Sequence, residues 1–415
     1  MGNIHQDAET MIRQGITAVL PQAAVKEALQ GRQFPGRVYL VAIGKAAYAM
    51  AKAAQEVLAE PITAGVVITK YGHAQGALTG MDIIEAGHPV PDENTLLGTE
   101  KVLDMVSSLK REDTVLFLVS GGGSALFEKP VDGVTLADLS RITGQLLASG
   151  AGIVEINTIR KRLSGVKGGR FAQACRPAGM VSIVLSDVLG DRPDMIASGP
   201  ACADQSTAEE ALAIIKKYKL VLPEPVLAKL RVETPKRIDH VETIVTGSVR
   251  FLCSHMAGIA RGLGYQPWIL TTQMDCEAKE GGRFLAAIAK AISDGTSSFV
   301  RPCAIIAGGE TVVTVTGQGK GGRNQEFALA AAEEIAGLPD TLIFSLGSDG
   351  TDGPTDAAGG LVDGQTKVRL LEKKIKIGEY LSDNNAYHAL LASEGLIFTG
   401  PTGTNVNDVA VLLCK

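Results

Sequence analysis

The sequence predicts an α/β protein of two domains, the first built on a doubly wound, mostly parallel sheet. Three observations point to it. Apolar, β-branched runs such as Arg37-Val-Tyr-Leu-Val-Ala-Ile43 and Thr114-Val-Leu-Phe-Leu-Val119 show no polar alternation, as strands buried on both faces require. Segments of helical periodicity stand between these runs, the order that parallel strands need for their crossovers. A chain of 415 residues also exceeds what one hydrophobic core usually organises. We expect domains at residues 1–235 and 236–415, the change following the proline-rich turns around Pro223, Pro225 and Pro235.

Taken in order, residues 8–29 carry apolar side chains at helical spacing, and Pro21 divides them into two short helices. The first strand ends at Gly44-Lys45, ahead of an alanine-rich helix to residue 58. Strands follow at 64–69 and 82–85, and the turn Gly87-His-Pro-Val-Pro-Asp-Glu-Asn94 caps a helix over 95–109. The strand over 114–119 runs into Ser120-Gly-Gly-Gly-Ser124. After a basic segment, 157–170, the strand over 180–185 delivers Ser186-Asp187. The second half reads as strands at 244–248, 268–271, 303–307, 311–316 and 341–346, with helices to residue 263 and over 281–293, 324–335 and 383–393.

Composition removes several function classes. Lys+Arg 40 against Asp+Glu 45 leaves a net charge of −5, and aromatics are 4%, so neither a polyanion surface nor a base-stacking platform is expected and nucleic acid is excluded as a partner. The nearest two of six cysteines, Cys253 and Cys276, are too far apart for a CxxC or zinc spacing; they read as buried thiols in a reducing compartment. The first residues lack a basic and then apolar leader, and no apolar run nears the roughly 18 residues of a membrane span. A cytoplasmic protein with no membrane partner is expected.

The chemistry-bearing residues stand where strands give way to glycine. Lys45 lies between a strand and a helix N-terminus, where its ammonium and backbone N–H groups can meet one anion. Ser120, Gly121, Gly122, Gly123 and Ser124 form a turn that can present N–H groups to a phosphate or carboxylate. Gly319-Lys-Gly-Gly-Arg-Asn-Gln-Glu326 repeats the device and adds Arg323, whose guanidinium grips such anions in a fork; Gly321, Gly322 and Asn324 belong to the same turn. Asp349 and Asp352 stand in the glycine-rich loop Gly347 to Asp356, and with Glu310 their spacing makes them candidate magnesium ligands, because Mg²⁺ keeps water and phosphate oxygens and needs few carboxylates. Asp187 and Asp191 are further candidates, one of which could accept a hydroxyl proton or orient the nucleophile. The single Gly-Lys is too short for a P-loop, one glycine stands where a dinucleotide fingerprint needs three, and neither HExxH nor GxSxG occurs.

These motifs together resemble the glycerate 2-kinases, the class II glycerate kinases. The likeness runs from Ile43-Gly-Lys45 through Gly87-His-Pro-Val-Pro-Asp92, Val119 to Ser124, Val184-Leu-Ser-Asp187, Ser198-Gly-Pro200, Gly308-Gly-Glu-Thr311, Gly321 to Glu326 and Gly350 to Asp356. It implies a larger Rossmann-like domain and a smaller C-terminal α/β domain with the active site in the cleft. It implies ATP as cosubstrate with Mg²⁺, and phosphorylation of D-glycerate at its 2-hydroxyl. The family's catalytic positions fall on Lys45, Asp187 and Arg323. Relatives also carry the name hydroxypyruvate reductase, so an NAD(P)H-dependent reductase is the alternative; a two-domain protein that binds a small acid without turnover is third. The oligomeric state is left open, with a homodimer beside the monomer.

Overall fold

A computed structural model describes residues 3–58 and 62–415. The chain begins with α1 (Ile4–Ala18) and α2 (Pro21–Leu29), and Pro21 sits at the first helical position, where its missing N–H costs nothing. There follow β1 (Val38–Ile43), α3 (Ala47–Val57), β2 (Ile62–Lys70), β3 (Met81–Ala86), α4 (Glu93–Val106) and β4 (Thr114–Val119). The short α5 (Gly123–Leu126), α6 (Leu136–Ala148), α7 (Ile153–Leu163) and α8 (Arg170–Ala174) lead to β5 (Gly179–Leu185), and α9 (Ala208–Lys217) and α10 (Glu224–Leu230) to β6 (Val241–Gly247).

These strands form one sheet in the order β3-β2-β1-β4-β5-β6, the arrangement of a Rossmann sheet. Every pairing from β3 to β5 is parallel. β1 is buried along its whole length, which explains its unbroken apolar sequence. Phe117, Phe127 and Phe171 pack ring on ring beside it, with centroids 4.9 to 6.1 Å apart. A second apolar cluster joins α6, α7, α9 and α10 through Leu139, Ile142, Ile159, Ile215 and Leu230.

The second sheet is mixed. After α11 (Val249–Gly262) come β7 (Gln266–Met274), α12 (Ala278–Ser293), β8 (Cys303–Gly309), α13 (Arg323–Glu334), β9 (Thr341–Gly347) and β10 (Gly359–Asp363). Then follow α14 (Thr366–Glu372), α15 (Ile377–Ser382), α16 (Ala386–Ala392), β11 (Leu396–Ile397) and β12 (Asp408–Cys414). The strand order is β11-β10-β9-β12-β8-β7; β7 and β8 run parallel and the other pairs antiparallel. α13 is buried nearly all round, so its alanines and Phe327 form the centre of this core.

Two compact units result, residues 24–246 and residues 1–23 with 247–415. Against the expected division at 235 and 236, the chain changes unit at 246, and its first helix belongs with the second sheet. The apolar face of α1, with Met11, Ile12 and Ile16, is buried, and Met256 of α11 packs tightly against its Gly15. Tyr265 donates to Asp7 at 2.8 Å and Thr404 to the Val19 carbonyl at 2.8 Å, tying the same segment down. The strand expected over 311–316 is also absent: only Val312 makes an isolated bridge, to Glu277. The helix expected over 383–393 begins later, as α16 at Ala386, and Asn384 is left-handed in the turn that joins it to α15. Among the described residues, no helix is long and apolar enough to cross a membrane.

Candidate active site

In the Rossmann sheet the chain leaves β1 toward β2 and β3 on one side, then returns to build β4, β5 and β6 on the other. Ligands of such sheets bind beyond the carboxyl ends of the strands at this reversal. Here those ends are Ile43 and Val119, in register with each other. The residues that follow them are Gly44-Lys45 and Ser120 to Ser124, so two separately predicted motifs are neighbours.

Hydrogen bonds weld the two turns together. Ser120 N–H donates to the Ile43 carbonyl at 3.0 Å, Lys45 N–H to the Gly121 carbonyl at 2.9 Å, and Ala46 N–H to Ser120 Oγ at 3.0 Å. Gly44 has φ +113, and a Cβ there would lie 2.3 Å from Ser120 Oγ, so only glycine fits. Among the described residues, no internal hydrogen bond takes up the N–H groups of Gly121 and Gly122, which leaves them for an anion.

The glycines are needed because side chains converge on them. A Cβ on Gly121 would lie 2.3 Å from Asp187 Oδ2; one on Gly122 would lie 2.9 Å from the His88 ring and 3.3 Å from Lys45 Cγ. Lys45, His88 and Asp187 therefore surround one backbone turn. Burial lowers the pKa of His88, and the neighbouring charges of Lys45 and Lys70 lower it further, so the ring is neutral at pH 7. Ser124 is tied to the wall by Ser198, hydroxyl to hydroxyl at 3.2 Å, and Ser198 in turn donates to Asn157.

The basic segment 157–170 is mostly spent inside the unit. Lys161 pairs with Asp204 at 3.2 Å, Arg162 donates to Ser206, and the fully buried Lys167 donates to Glu128 at 2.7 Å.

The second group of predicted residues gathers at one end of the mixed sheet. Gly309 of β8 and Gly347 of β9 flank Asp408, the first residue of β12. Arg323 Nε donates to Asp408 Oδ2 at 2.6 Å and Nη2 to Oδ1 at 3.1 Å, while Nη1 donates to Glu310 at 2.7 Å. Burial opposes charge on both partners. For Arg323 the two carboxylates outweigh it and the pKa rises; for Asp408 burial outweighs the arginine, and its pKa is pushed up to about 6. Asp408 was not singled out in the sequence. Its signal was an acid opening an otherwise apolar, fully buried strand.

Asp352 serves the start of α13. Its Oδ1 accepts the N–H of Asn324 at 3.1 Å and its Oδ2 that of Gln325 at 2.8 Å, so a carboxylate 28 residues away in sequence supplies the cap that Gly322 cannot. A Cβ on Gly322 would lie 2.3 Å from Asp352 Cγ. Asn324 is buried and locked between Asp352 and the Ser345 hydroxyl, 2.6 Å away. The preceding loop is held by three side chains in a row. Asn384 Oδ1 accepts from the N–H groups of Thr316 and Gly317, Asp383 Oδ1 from Gln318, and Asn385 Oδ1 from Lys320. A cavity of about 600 Å³ opens here, lined by Arg323, Gly321, Gly322, Asp349, Thr351 and Asn384.

Glu310, Asp349 and Asp352, the candidate magnesium ligands, have separate hydrogen-bond partners. Among the described residues, no group of three or more His, Cys, Asp and Glu is placed to hold a metal ion. Glu310 is drawn to Arg323 and Asp352 to the helix start, whereas the Asp349 carboxylate accepts from Thr351 in its own turn.

Comparison with known proteins adds identity to this geometry. The family described as a domain of unknown function, DUF4147, matches residues 7–231, and the MOFRL family matches residues 303–408. The chain is 52% identical over 401 residues to the D-glycerate 2-kinase of Thermotoga maritima, covering 97% of this chain and 96% of that protein. The crystal structure of a glycerate kinase from Thermotoga maritima superposes with a TM-score of 0.96 at 51% identity, covering 99% of both chains. The structure of a Pyrococcus horikoshii protein superposes with a TM-score of 0.94 at 40% identity, covering 100% of this chain and 99% of that one.

Proposed function

The chain belongs to the glycerate 2-kinase family, and on that premise we propose that it transfers the γ-phosphoryl group of ATP to the 2-hydroxyl of D-glycerate. The observation that carries this reading is the turn at the β1 and β4 ends, where Lys45, His88 and Asp187 converge on Gly121 and Gly122. Phosphoryl transfer asks for positioning and for charge aimed at the transferring oxygens, which a lysine beside open N–H groups supplies.

In the proposed step Asp187 accepts the proton of the 2-hydroxyl as its oxygen attacks the γ-phosphorus. The bond to the β,γ-bridging oxygen breaks, ADP leaves, and 2-phosphoglycerate forms. Lys45 stabilises the charge that gathers on the transferring group, and Arg323, held in orientation by Asp408 and Glu310, presents a fork suited to a phosphate. Mg²⁺ fits these residues only as an ion arriving with the nucleotide, with Asp349 as its protein carboxylate. When bound, it screens the β- and γ-phosphate charge. The reductase alternative lacks its fingerprint, since β1 is followed by Gly44 alone and then Lys45.

Phosphorus NMR of the product from D-glycerate and Mg-ATP tests the proposal. A 2-phosphoglycerate signal is expected; NADH oxidation by hydroxypyruvate with no phosphate ester formed would overturn it.

A further inference from the structure

Resting on the kinase reading, one cavity in the unit of residues 24–246 has chemistry that the phosphate-binding turn does not use. It measures about 460 Å³ and borders Gly122 and Ser124 at one end. Pro89, Val90 and Pro91 form one apolar wall and Leu139 and Leu147 of α6 another. Val90 and Leu147 are 59% and 60% exposed, large apolar side chains that no core cluster takes up.

Two polar groups meet between these walls. Glu128 is only 4% exposed; its Oε2 holds Lys167 at 2.7 Å, but its buried Oε1 has no hydrogen-bond partner among the described residues. A buried acceptor left unpaired is costly and rare, which marks it for a donor from outside the chain. Arg160 lines the same cavity and, among the described residues, bonds only to Thr143 at a long 3.4 Å. Burial lowers its pKa and the charge of Glu128 works against that, so acid and guanidinium sense each other.

The geometry points to this cavity as the site of the adenine ring of ATP, the N6 amino group donating to Glu128 Oε1 and Arg160 donating to a ring nitrogen. Adenine presents a donor and an acceptor on one edge and two flat apolar faces, matching the polar pair and the proline and leucine walls. Pockets for ligands of nucleoside size run from about 300 to 1,000 Å³. A three-carbon acid would leave most of this one empty and has no face for Leu139 or Leu147. Gly122, at the mouth, also packs against Lys45, so a nucleotide entering here carries its phosphates toward the turn that would bind them.

Gly144 provides a test that leaves the polar pair untouched. It lies on α6 and lines the cavity, and a Cβ there would meet nothing within 4 Å. Gly144→Leu fills the space while improving helix propensity. By calorimetry the wild type is expected to bind AMP at least about tenfold more tightly than IMP, whose carbonyl faces Glu128 where the amino group should be. Gly144→Leu is expected to weaken AMP binding by about tenfold or more and to raise KM for ATP, with KM for D-glycerate and Tm unchanged. Equal affinities for AMP and IMP, or unaltered AMP binding in Gly144→Leu, would overturn the assignment. A rise confined to the KM of D-glycerate would overturn it too, giving the cavity to the acid substrate. AMP binding that Gly144→Leu abolishes, in a protein that makes no phosphoglycerate, would uphold this site and reject the kinase reading.

Discussion

Asp408 closes both carboxylate oxygens on the guanidinium of Arg323, at 2.6 Å from Nε and 3.1 Å from Nη2, across 85 residues of sequence. The pair joins the start of a strand to the start of a helix. It fixes the direction of the one arginine in the glycine-rich turn, so its ionisation controls whether that arginine is aimed.

The first prediction concerns pH. Asp408 holds its proton up to about pH 6, well above an unfolded aspartate near 4. Activity is therefore expected to fall as pH drops through 6, when the carboxyl neutralises and releases Arg323. Stability moves the other way for this group. Between about pH 4 and 6 the folded chain binds the extra proton, so the Asp408 contribution to stability rises as pH falls and is lost as pH rises through 6. Asp408→Asn should lose the acid limb of kcat; an unchanged limb would remove Asp408 from control of Arg323.

Lys45→Ala is expected to lower kcat about a hundredfold, the scale of one lost contact to transition-state charge, with Tm unchanged because the side chain is exposed. Arg323→Ala should cost as much in kcat but also lower Tm, since Asp408 stays buried without its partner. Arg323→Lys should not rescue activity, because a lysine cannot reproduce the fork. Steady-state kinetics and melting curves on the three variants check this.

Gly121→Ala places a methyl group 2.3 Å from Asp187 Oδ2, so the carboxylate must move by about 1 Å. A displacement of that size at a reacting group can cost about a hundredfold in rate. The expected outcome is a loss mainly in kcat, with KM for ATP little altered. Wild-type turnover in Gly121→Ala would place Asp187 outside the reaction.

Asp349 and Asp352 are predicted to separate. Asp352→Asn removes the charge that caps α13 and should cost about 1–2 kcal/mol of stability without changing the Mg²⁺ concentration for half-maximal rate. Asp349→Asn should raise that concentration and leave Tm alone. Melting curves and magnesium titrations of both variants decide; the opposite pattern would make Asp352 the ligand.

The parts legible in the sequence were those encoded locally. Lys45, the Ser120 to Ser124 turn and Asp187 each follow a buried apolar strand, and the parallel register brings those strand ends together. What the sequence hid came from distance. Asp408 is contributed by an antiparallel strand whose place beside β8 and β9 no local pattern encodes. Glu310 and Asp352 read as candidate metal ligands from their spacing alone; their hydrogen-bond partners, Arg323 and the N–H groups of α13, become neighbours only through folding. His88 read as a turn residue, and only the crowding at Gly122 shows its ring beside Lys45. α1 looked like the start of the first unit, yet its apolar stripe matches α11, more than two hundred residues further along the chain.

β12 comes last in chain order, yet it lies between β9 and β8 in the middle of its sheet. On the ribosome, residues 24–246 are a continuous stretch that can complete its fold while synthesis continues, as N-terminal units generally do. The other sheet keeps a gap one strand wide at its centre until residues 408–414 emerge. A nascent chain stalled before that point would hold its lysine turn in place but lack Asp408, the carboxylate to which Arg323 donates.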